Sequence, residues 1–588
     1  MTRFAVWAPD ARIGVQLLVE GGSPVAMNAE PGGWYALEIP EEPAAAGVEY
    51  RFVVDGSEPL ADPRSAWQPA GIDGPSRVLD PGTLVWTDGD WRGVTMPWLS
   101  GGAVYELHIG TFSPGGTFEG TIERLDQLVE LGVRAVEIMP VAEFSGDHGW
   151  GYDGVFLFAP HHAYGGPHGL NALVDACHAR GLGVILDVVY NHLGPKGNVL
   201  GQFGPYFTDR YATPWGTAVN LDGPGSDEVR RFFIDNACMW LADYHIDGLR
   251  IDAIHAFVDL SATHFLAELA EAVAELSGTL SRQLVLIAES DLNDPRVVRL
   301  PAAGGFGLDG VWSEDFHHSL HAALTGERTG YYQDFGSLGD VAACLQRAAV
   351  YDGRYSVFRR RRHGAPAGDL PGRRFVGFSQ NHDQVGNRAL GERSAALMSL
   401  GRLKIAAALV LTAPFVPMLF QGEEWAASTP FLYFTDHADP ELGRAVTEGR
   451  RREFAAFGWE PGQIPDPQDP ATFERSKLIW AEREDPVHAE VLAWYRALLA
   501  LRRRHADLRR DRLGEVVVTH DEAAGWLRVA RGSLEVVVNL APAQQRFEVA
   551  GELVAASEPG VTLGGGALAL PPDSVALIQR GNGHADQP

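Results

Sequence analysis

The stretch His245–Phe257 reads HIDGLRIDAIHAF, and it contains a short strand pattern that ends on charged residues. Leu249 and Ile251 alternate with polar residues, which is typical of a β-strand with two different faces. Arg250 and Asp252 share the other face, where a buried strand would normally carry apolar side chains. Because a buried, unpaired charge costs free energy, the pair indicates a strand end with a function.

Seven other short apolar runs resemble this strand, and helical patterns separate most of them. In chain order the eight runs are AVYELHIGTF (103–112), VRAVEIMP (133–140), VILDVVYNH (184–192), GLRIDAIH (248–255), LVLIAES (284–290), GLDGVW (307–312), RFVGFSQNHD (374–383) and FVPMLFQGEEW (415–425). Alternating strands and helices imply a parallel sheet covered by helices, and eight repeats favour an α/β fold of the closed (β/α)8 TIM-barrel type. An open doubly wound sheet is the alternative, but no GxGxxG turn follows the first strand.

Strand-rich segments flank the barrel pattern on both sides. We predict an N-terminal immunoglobulin-like β-sandwich over 1–90, from short alternating runs such as VQLLV and VEYRFVV. The catalytic barrel is expected over 91–505, with a short insertion after its third strand, and a C-terminal β-sandwich over 506–588. The segment 434–485 is rich in Pro and Asp, so we predict an irregular loop, and a loop of that length favours a functional role.

Charge and cysteine content narrow the class of protein. The formal net charge of the 588 residues is −28, which disfavours nucleic acid, anionic membranes and anionic substrates. Three cysteines are too few for a disulfide framework, and neither a secretion signal nor an uninterrupted membrane-length apolar segment is visible. We therefore expect a soluble, cytoplasmic protein that binds neither nucleic acid nor membrane.

Polar residues follow several of the predicted barrel strands, at the rim where such barrels carry their chemistry. Three of them are carboxylates on separate strands, Asp252, Glu289 and Asp383, and His192 and His382 lie at two strand ends. Such a set suits either metal-assisted hydrolysis or hydrolysis of glycosidic bonds by one ionised and one protonated carboxyl group. No HxH or HxxxH pair lies at a strand end, so the indication of a metal is the weaker of the two.

Four of these strand ends, taken together, resemble the signature regions of the α-amylase family of glycoside hydrolases. They are DVVYNH (187–192), GLRIDAIH (248–255), IAES (287–290) and FSQNHD (378–383). The resemblance implies that Asp252 is the nucleophile, Glu289 the general acid/base, and Asp383 the third carboxylate, which stabilises the transition state. The residues that it implies in substrate binding around the cleaved bond are Tyr152, His192, Arg250, His255 and His382.

The chemistry of these residues agrees with the implied roles. Arg250 and Asp252 are two residues apart, so both side chains leave a strand on the same face. A neighbouring guanidinium favours an ionised carboxylate, which a nucleophile needs. Glu289 follows the apolar run LVLIA, which should raise its pKa and keep it protonated. In a retaining enzyme the nucleophile and the acid should lie ~5 Å apart.

Longer stretches resemble the members of this family that release trehalose. They are FSGDHGWGYDG (144–154), WSEDFHHSLHAALTGERTGYY (312–332), FSQNHDQVGNR (378–388) and LFQGEEWAASTPFLYFTDH (419–437). The implied reaction is hydrolysis of the α-1,4 bond that joins a maltooligosaccharide to the terminal trehalose unit of maltooligosyltrehalose. The residues implied to line the trehalose side are Asp315, Phe316, His317, His318, Gln384 and Arg388.

Other activities remain as alternatives. A glucan branching enzyme, which transfers α-1,4 chains to α-1,6 positions, is the first, and an isoamylase-type debranching enzyme is the second. A non-catalytic glucan-binding protein is the third, although the presence of all three carboxylates argues against it. We expect no cofactor and no metal, because the segment 194–221 is short for the insertion that holds calcium in many α-amylases. A maltooligosyltrehalose synthase, which would make the substrate, is the expected functional partner.

Overall fold

The computed structural model describes residues 1–40, 46–455 and 460–581, and its centre is a closed barrel of eight strands. Neighbouring strands are parallel and follow each other in chain order around the barrel. From the first to the eighth, the barrel strands are Val104–Leu107, Ala135–Ile138, Gly183–Val188, Gly248–Ile251, Val285–Ala288, Gly310–Trp312, Phe375–Gly377 and Val416–Phe420. Each of the eight predicted runs supplies one strand, so the prediction of a TIM barrel is confirmed.

Alternation along the strands places one set of side chains inside the barrel. The lower interior is a buried apolar cluster that includes Val104, Ala135, Ile185, Ile287, Trp312, Phe378 and Met418. Two residues further along the first four strands, the same inward face carries polar side chains. They are Glu106, Glu137, Asp187 and Arg250, all buried, and we call them the charged layer. The barrel interior is therefore apolar toward the N-terminal ends of the strands. Toward the C-terminal ends it is charged, on the side of the first four strands.

Helices cover the barrel and fill its longer connections. Those of ten or more residues are Gly166–Ala179, Ser226–Ala242, Phe265–Leu280, Glu314–Thr325, Leu338–Arg347, Leu400–Thr412, Pro440–Ala455 and Pro486–Arg504. The shorter ones are Met96–Leu99, Ile109–Phe112, Phe118–Ile122, Leu125–Leu131, His382–Gly386, Ser394–Leu397 and Pro470–Glu474. Within the described ranges, no helix is both long enough and apolar enough to cross a bilayer.

The segment 434–485 is more regular than its composition suggests. It contains the helices Pro440–Ala455 and Pro470–Glu474. Asp439 begins the first of them by accepting hydrogen bonds from the backbone N–H groups of Glu441 and Leu442. Pro440 occupies the first turn, where no intrahelical N–H is needed. The prediction of an irregular loop is therefore wrong, because Pro and Asp start helices here.

Two sheets lie at each end of the chain. In the N-terminal part they consist of Thr2–Trp7, Trp34–Ile39 and Asn28–Glu30, and of Val25–Ala26, Val15–Val19, Glu49–Val54 and Ser76–Arg77. In the C-terminal part they consist of Val516–Asp521, Trp526–Arg531, Leu534–Asn539, Ser574–Gln579 and Glu552–Ala556, and of Gln545–Glu548, Ala567–Leu570 and Thr562–Gly564. The predicted sheet-rich units are confirmed, and boundaries near 90 and 505 remain our proposal.

Three two-stranded sheets lie in the connections that follow the second, third and sixth barrel strands. They pair Ala142–Glu143 with Phe156–Pro160, Phe207–Thr213 with Gly216–Val219, and Asp352–Ser356 with Arg361–Gly364. The second pair is the short insertion expected after the third strand. The third pair belongs to the long connection between the sixth and seventh strands, which reaches the rim of the barrel.

Candidate active site

Arg250 lies at the centre of the site. Its guanidinium is fully buried and contacts the carboxylates of Asp187 and Asp252. Its Nη1 donates to Oδ1 of Asp252 at 2.8 Å and to the two oxygens of Asp187 at 2.8 and 2.7 Å. The ring of Trp312 lies beneath the guanidinium, with 4.2 Å from its centre to the guanidinium carbon. Charged hydrogen bonds of this length have little freedom, so Asp252 is held in one orientation.

Glu289 follows the fifth strand and shares the same guanidinium. Its Oε2 lies 3.7 Å from Nη2 of Arg250 and accepts the backbone N–H of Ala253 at 2.5 Å. Ala253 has a left-handed φ of 41°, so the chain turns sharply after Asp252 and directs this N–H toward Glu289. Burial, together with the charges on Asp252 and Asp383, outweighs Arg250 and raises the pKa of Glu289 to about 8. Glu289 is therefore protonated at neutral pH.

Asp383 is the most exposed of the three predicted carboxylates. Its side chain is 42% accessible, compared with 11% for Asp252 and 13% for Glu289. It lies in the short helix His382–Gly386, which begins at the capping residue Asn381. Asp383 and Glu289 line the same cavity, and Glu289 shares the guanidinium of Arg250 with Asp252.

Tyr152 and His382 connect the third carboxylate with the charged layer. The Tyr152 hydroxyl lies 2.6 Å from Oδ2 of Asp187 and 2.7 Å from Nε2 of His382, and the two rings stack. Nδ1 of His382 lies 2.5 Å from Oε1 of Glu106. Burial disfavours the protonated, positively charged form of His382, but the charges on Glu106 and Asp383 outweigh burial and raise its pKa to about 9. The structure therefore brings the predicted residues Tyr152 and His382 together beside the carboxylates.

His192 and His255, the other predicted histidines, lie on different sides of the site. The ring of His192 stacks on that of Trp215 in the short insertion, with centroids 5.1 Å apart and planes 8° apart. Burial lowers the pKa of His192, so its ring is neutral at pH 7. Trp215 is 45% exposed, and such an indole is a surface on which a sugar ring can pack. His255 lines the neighbouring cavity.

That cavity has a volume of about 560 Å³ and opens beside Glu289 and Asp383. The predicted residues that line it are His255, Glu289, His318, Asp383, Gln384 and Arg388. The connection between the sixth and seventh strands supplies further side chains that the sequence analysis did not name, among them Glu314, Glu327, Tyr331, Phe358 and Arg359. Partly exposed aromatic rings beside fixed polar groups are suited to a neutral, hydroxyl-rich ligand.

Glu314 is the most informative of the lining residues that the sequence analysis missed. It is 8% exposed, and its Oε2 accepts a hydrogen bond from the side-chain amide of Gln384 at 2.7 Å. Burial and the charges on Glu289 and Asp383 raise the pKa of Glu314 well above its usual range. A signal was available, since Glu314 is the second residue after the sixth strand and so lies at the rim that carries the other candidates.

Asp315, Phe316 and His317 do not reach the cavity. Oδ2 of Asp315 accepts two backbone N–H groups at 2.8 and 2.7 Å. Both ring nitrogens of His317 have buried hydrogen-bond partners, and Phe316 is fully buried. On a helix, residues four apart share a face, so Glu314 and His318 point to the cavity while the three residues between them do not. We therefore no longer propose that these three contact the substrate.

Within the part of the chain that the structure describes, one side-chain group has the spacing of metal ligands, and it consists of Glu143, His161 and His162. Nδ1 of His162 lies 2.8 Å from Oε1 of Glu143. Nδ1 of His161 accepts the backbone N–H of Ala163, which leaves the hydrogen on Nε2, the nitrogen that faces Glu143. Glu143 also accepts the backbone N–H of His162, so the three residues form a cluster that fixes a loop.

Comparison with known proteins agrees with this geometry. Residues 82–202 match the alpha amylase catalytic domain, and residues 511–577 match a domain of unknown function, DUF3459. The chain is 53% identical over 541 residues to a malto-oligosyltrehalose trehalohydrolase of Arthrobacter ramosus, covering 92% of this chain and 93% of the relative. A crystal structure from Salmonella typhimurium, provisionally described as an alpha amylase, is 37% identical with a TM-score of 0.89, covering 98% of this chain and 97% of the other.

A branching enzyme is a more distant relative. The 1,4-alpha-glucan branching enzyme of Mycolicibacterium paratuberculosis is 32% identical over 355 residues, which is 54% of this chain and 47% of the relative. The trehalohydrolase match has higher identity and extends over nearly the whole of both chains. With its alpha-amylase barrel and this full-length similarity, the chain belongs to the malto-oligosyltrehalose trehalohydrolase family.

Proposed function

We propose that the chain hydrolyses the α-1,4-glucosidic bond next to the terminal trehalose unit of maltooligosyltrehalose, and so releases trehalose and a maltooligosaccharide. The observation that carries this proposal is the guanidinium of Arg250, which contacts Asp252 and Glu289 at the same time. Two carboxyl groups on one guanidinium lie close together, as a retaining mechanism requires. The full-length relative that carries the trehalohydrolase name supports the choice of substrate.

The first step forms a covalent intermediate on Asp252. Its carboxylate oxygen bonds to the anomeric carbon of the maltooligosyl chain while the bond from that carbon to the trehalose oxygen breaks. Glu289 gives its proton to that oxygen, so trehalose leaves as a neutral alcohol. The hydrogen bond from Arg250 holds Asp252 in the orientation for attack.

The second step returns the enzyme to its starting state. A water molecule attacks the same anomeric carbon, and Glu289, now ionised, takes a proton from that water. The bond to Asp252 breaks, and the maltooligosaccharide leaves with the anomeric configuration of the substrate. Both steps balance with water alone, so the proposed chemistry needs no cofactor.

The lining of the cavity supports recognition of the trehalose unit on the leaving side. Gln384 is fixed by its hydrogen bond to Glu314, and Arg388 by its hydrogen bond to Glu327 at 3.0 Å. Donors and acceptors that are fixed before binding recognise hydroxyl groups without a large loss of side-chain entropy. On the other side, the exposed ring of Trp215 supports contact with the maltooligosyl chain.

Product analysis with the purified full chain tests this proposal. Maltotriosyltrehalose should give trehalose and maltotriose in equal amounts. Maltopentaose has the same number of glucose units without the trehalose end, and we expect it to be cleaved about 100-fold more slowly, because the fixed polar groups of the cavity would lack their partners. Equal rates on both oligosaccharides would remove the substrate assignment.

Incubation with amylose separates hydrolysis from glucan branching. A branching enzyme moves chains to O6, so new α-1,6 linkages would accumulate with few new reducing ends. For this chain we expect no new α-1,6 linkages and only slow formation of reducing ends, because amylose lacks the trehalose end; a reducing-sugar assay and the anomeric proton signals measure both. The Glu289→Gln variant, prepared in parallel, controls for contaminating amylases.

We also propose an earlier enzyme in the same reaction sequence. The substrate must already carry an α,α-1,1-linked glucose at its end, so a synthase that converts the reducing end of a maltooligosaccharide has to act first. The expected compartment of both enzymes is the cytoplasm. Cell fractionation followed by immunodetection of this chain tests the compartment, and co-purification tests a physical association with the synthase.

A further inference from the structure

Two buried glutamates below the site have no role in the proposed reaction. Glu106 lies on the first barrel strand and Glu137 on the second, each is 1% exposed, and the two are direct neighbours in the strand register. Both belong to the charged layer. A carboxyl group in such a place is costly unless its charge is paired or absent, so each one requires an explanation.

Glu106 uses both of its oxygens to hold His382. Its Oε1 lies 2.5 Å from Nδ1 of His382, and its Oε2 accepts the backbone N–H of the same residue at 3.0 Å. The ring and the main chain of His382 are thus fixed by one carboxyl group of the first barrel strand, although His382 itself follows the seventh strand and the eighth lies between them. The short helix that carries Asp383 begins at this residue.

The hydrogen bonds around Tyr152 determine where the protons of His382 lie. A tyrosine hydroxyl has one hydrogen, and that of Tyr152 is donated to Asp187 at 2.6 Å. At its 2.7 Å contact with Tyr152, Nε2 of His382 must therefore be the donor. Nδ1 then either donates to a carboxylate of Glu106 or accepts from its acid form. In the first case His382 carries both hydrogens and a positive charge.

The surroundings of Glu137 decide between these two cases. They favour the acid form of Glu137 more than the surroundings of Glu106 favour the acid form of Glu106. Neither oxygen of Glu137 has a hydrogen-bond partner, and neither reaches solvent. Burial, followed by the charge on Glu106, raises the pKa of Glu137 well above its usual range. Glu106, by contrast, accepts the backbone N–H of His382 and has the ring of the same residue within hydrogen-bond distance. Of the two neighbouring glutamates, Glu137 is therefore the neutral one and Glu106 the ionised one.

The remaining charges around His382 are compatible with a cation at this place. The charged or titratable groups that face it are Glu106 and Glu137 below, Asp383 on its own helix, Arg250 and Asp187 through Tyr152, and the neutral His108. Arg250 opposes a second positive charge, whereas Glu106 and Asp383 favour it and outweigh burial. Nε2 of His382 lies 3.5 Å from Oδ1 of Asp383.

We propose that Glu106 is a positioning residue that keeps His382 as a doubly protonated imidazolium, with its Nε2–H donated to the Tyr152 hydroxyl beside the carboxylates. The neutral Glu137 leaves Glu106 as the single negative charge beneath the ring. This charge-assisted hydrogen bond fixes Tyr152, whose ring stacks on that of His382, and the imidazolium keeps a positive charge next to Asp383. The kinetic part of this inference rests on the proposed function, but the protonation of His382 does not.

NMR of the full chain labelled with ¹⁵N-histidine tests the protonation without any substrate. One histidine signal, identified by its loss in His382→Asn, should keep both ring nitrogens protonated at pH 7.5 and lose a proton only near pH 9, since the imidazolium exists below its raised pKa. In Glu106→Gln the same signal should be neutral at pH 7.5. A neutral His382 at pH 7.5 in the wild-type chain would overturn the proposal, and this measurement does not depend on whether the variant folds.

Glu137→Gln is the matched control, because an amide has the shape of the neutral acid and no charge. The titration of His382 should be the same in this variant as in the wild-type chain. If Glu137→Gln moves the titration as far as Glu106→Gln does, then Glu137 is ionised in the native chain and the assignment of charge is wrong. Circular dichroism and thermal unfolding of both variants distinguish loss of the imidazolium from loss of the fold.

Hydrolysis of maltotriosyltrehalose gives the kinetic readout. We expect Glu106→Gln to lower kcat/KM at pH 7.5 about tenfold and to lower it much less at pH 5.5, where His382 regains its proton without Glu106. A loss that is equal at both pH values would show a purely structural role and overturn the proposal. If the wild-type chain does not hydrolyse this substrate, the proposed function is wrong. The NMR measurement still decides whether His382 is protonated, because it uses no substrate.

Discussion

Glu289 carries the proton on which the proposed reaction depends. Burial and two neighbouring carboxylates favour its acid form, while Arg250 and the Ala253 N–H favour its carboxylate. A residue that must donate a proton in one step and accept one in the next needs such opposed influences, because an extreme in either direction would block one of the steps.

Glu289→Gln removes the transferable proton and keeps the shape of the side chain. We expect kcat on maltotriosyltrehalose to fall about 10³-fold, with a small change in KM. Steady-state kinetics measures this loss. With α-maltosyl fluoride, whose leaving group needs no proton, formation of the covalent intermediate should be much less impaired. Equal losses on both substrates would contradict the role of Glu289 as the acid.

The raised pKa of Glu289 also fixes the sign of a pH dependence. The acid form is present below its pKa of about 8 and is lost as the pH rises through that value. We expect kcat/KM to decrease above pH 8, in a profile measured with maltotriosyltrehalose at constant ionic strength. A decrease that begins near the ordinary pKa of a glutamic acid would show that burial does not raise the pKa of Glu289.

Single residues differ in how far their roles can be predicted from the sequence. Asp252, Glu289 and Asp383 were recognisable because each follows its own apolar strand, which is a local pattern. Glu106 and Glu137 lie within strand patterns, in YELHI and VEIMP, and nothing local distinguishes them from glutamates on a solvated strand face. Their partners come from other strands, so only the closed barrel reveals them.

At the scale of the element, the helix Glu314–Thr325 explains why three of the predicted binding residues do not line the cavity. The family resemblance implies binding roles for four consecutive residues, Asp315 to His318, but a helix turns about 100° with each residue. Glu314 and His318 therefore share the cavity side, and the residues between them pack inward. The rotation of this helix depends on the packing of the barrel beneath it, which no local sequence pattern shows.

The short helix His382–Gly386 places Asp383, and its cap provides a test at the same scale. Asn381 accepts the backbone N–H of Gln384 at 2.8 Å, so Asn381→Ala should cost about 1 kcal/mol of stability. We also expect kcat to fall about tenfold or more, because Asp383 would lose its fixed position. Urea unfolding and steady-state kinetics measure the two effects.

Asn381→Ser is the control for that variant. A serine hydroxyl can still accept the Gln384 N–H and cap the helix, so both losses should be smaller than with alanine. The same losses in both variants would mean that the cap does not position Asp383.

At the scale of the whole molecule, buried arginines join the C-terminal sheet to the barrel. Nη1 of Arg531 donates to the backbone carbonyls of Thr412, Ala413 and Leu508 at 2.6, 2.8 and 3.3 Å. Arg502 binds the carbonyl of Ala413 as well, at 3.0 Å. A positive charge at the end of the helix that finishes at Thr412 also suits the helix dipole.

Arg531→Met would remove the donor that the carbonyls of Thr412 and Leu508 share, while Ala413 would keep its hydrogen bond from Arg502. We expect the free energy of unfolding to fall by about 3 kcal/mol, read from the shift of the urea midpoint at unchanged slope. Arg546→Met in the neighbouring C-terminal sheet is the control. Arg546 is exposed, so its replacement should cost less than about 1 kcal/mol. Equal shifts would mean that the carbonyl contacts do not stabilise the joint.

The overall architecture was predictable because it depends on repetition. Eight strand patterns separated by helical ones leave few possible folds, and each pattern is short enough to recognise within one window of sequence. The cavity was less predictable. It is built largely from the connection between the sixth and seventh strands, whose course over the rim is set by contacts between residues far apart in the chain.

The one-sided charged layer of the barrel has a consequence for how such an enzyme can change. The groups that handle the proton and the nucleophile come from the first five strands, whereas much of the pocket wall comes from a later, separate stretch of chain. Mutation can therefore change the pocket wall while the residues that transfer the proton and attack the substrate stay the same. A new leaving sugar can be acquired by exchanging one contiguous segment, without rebuilding the means of breaking the bond.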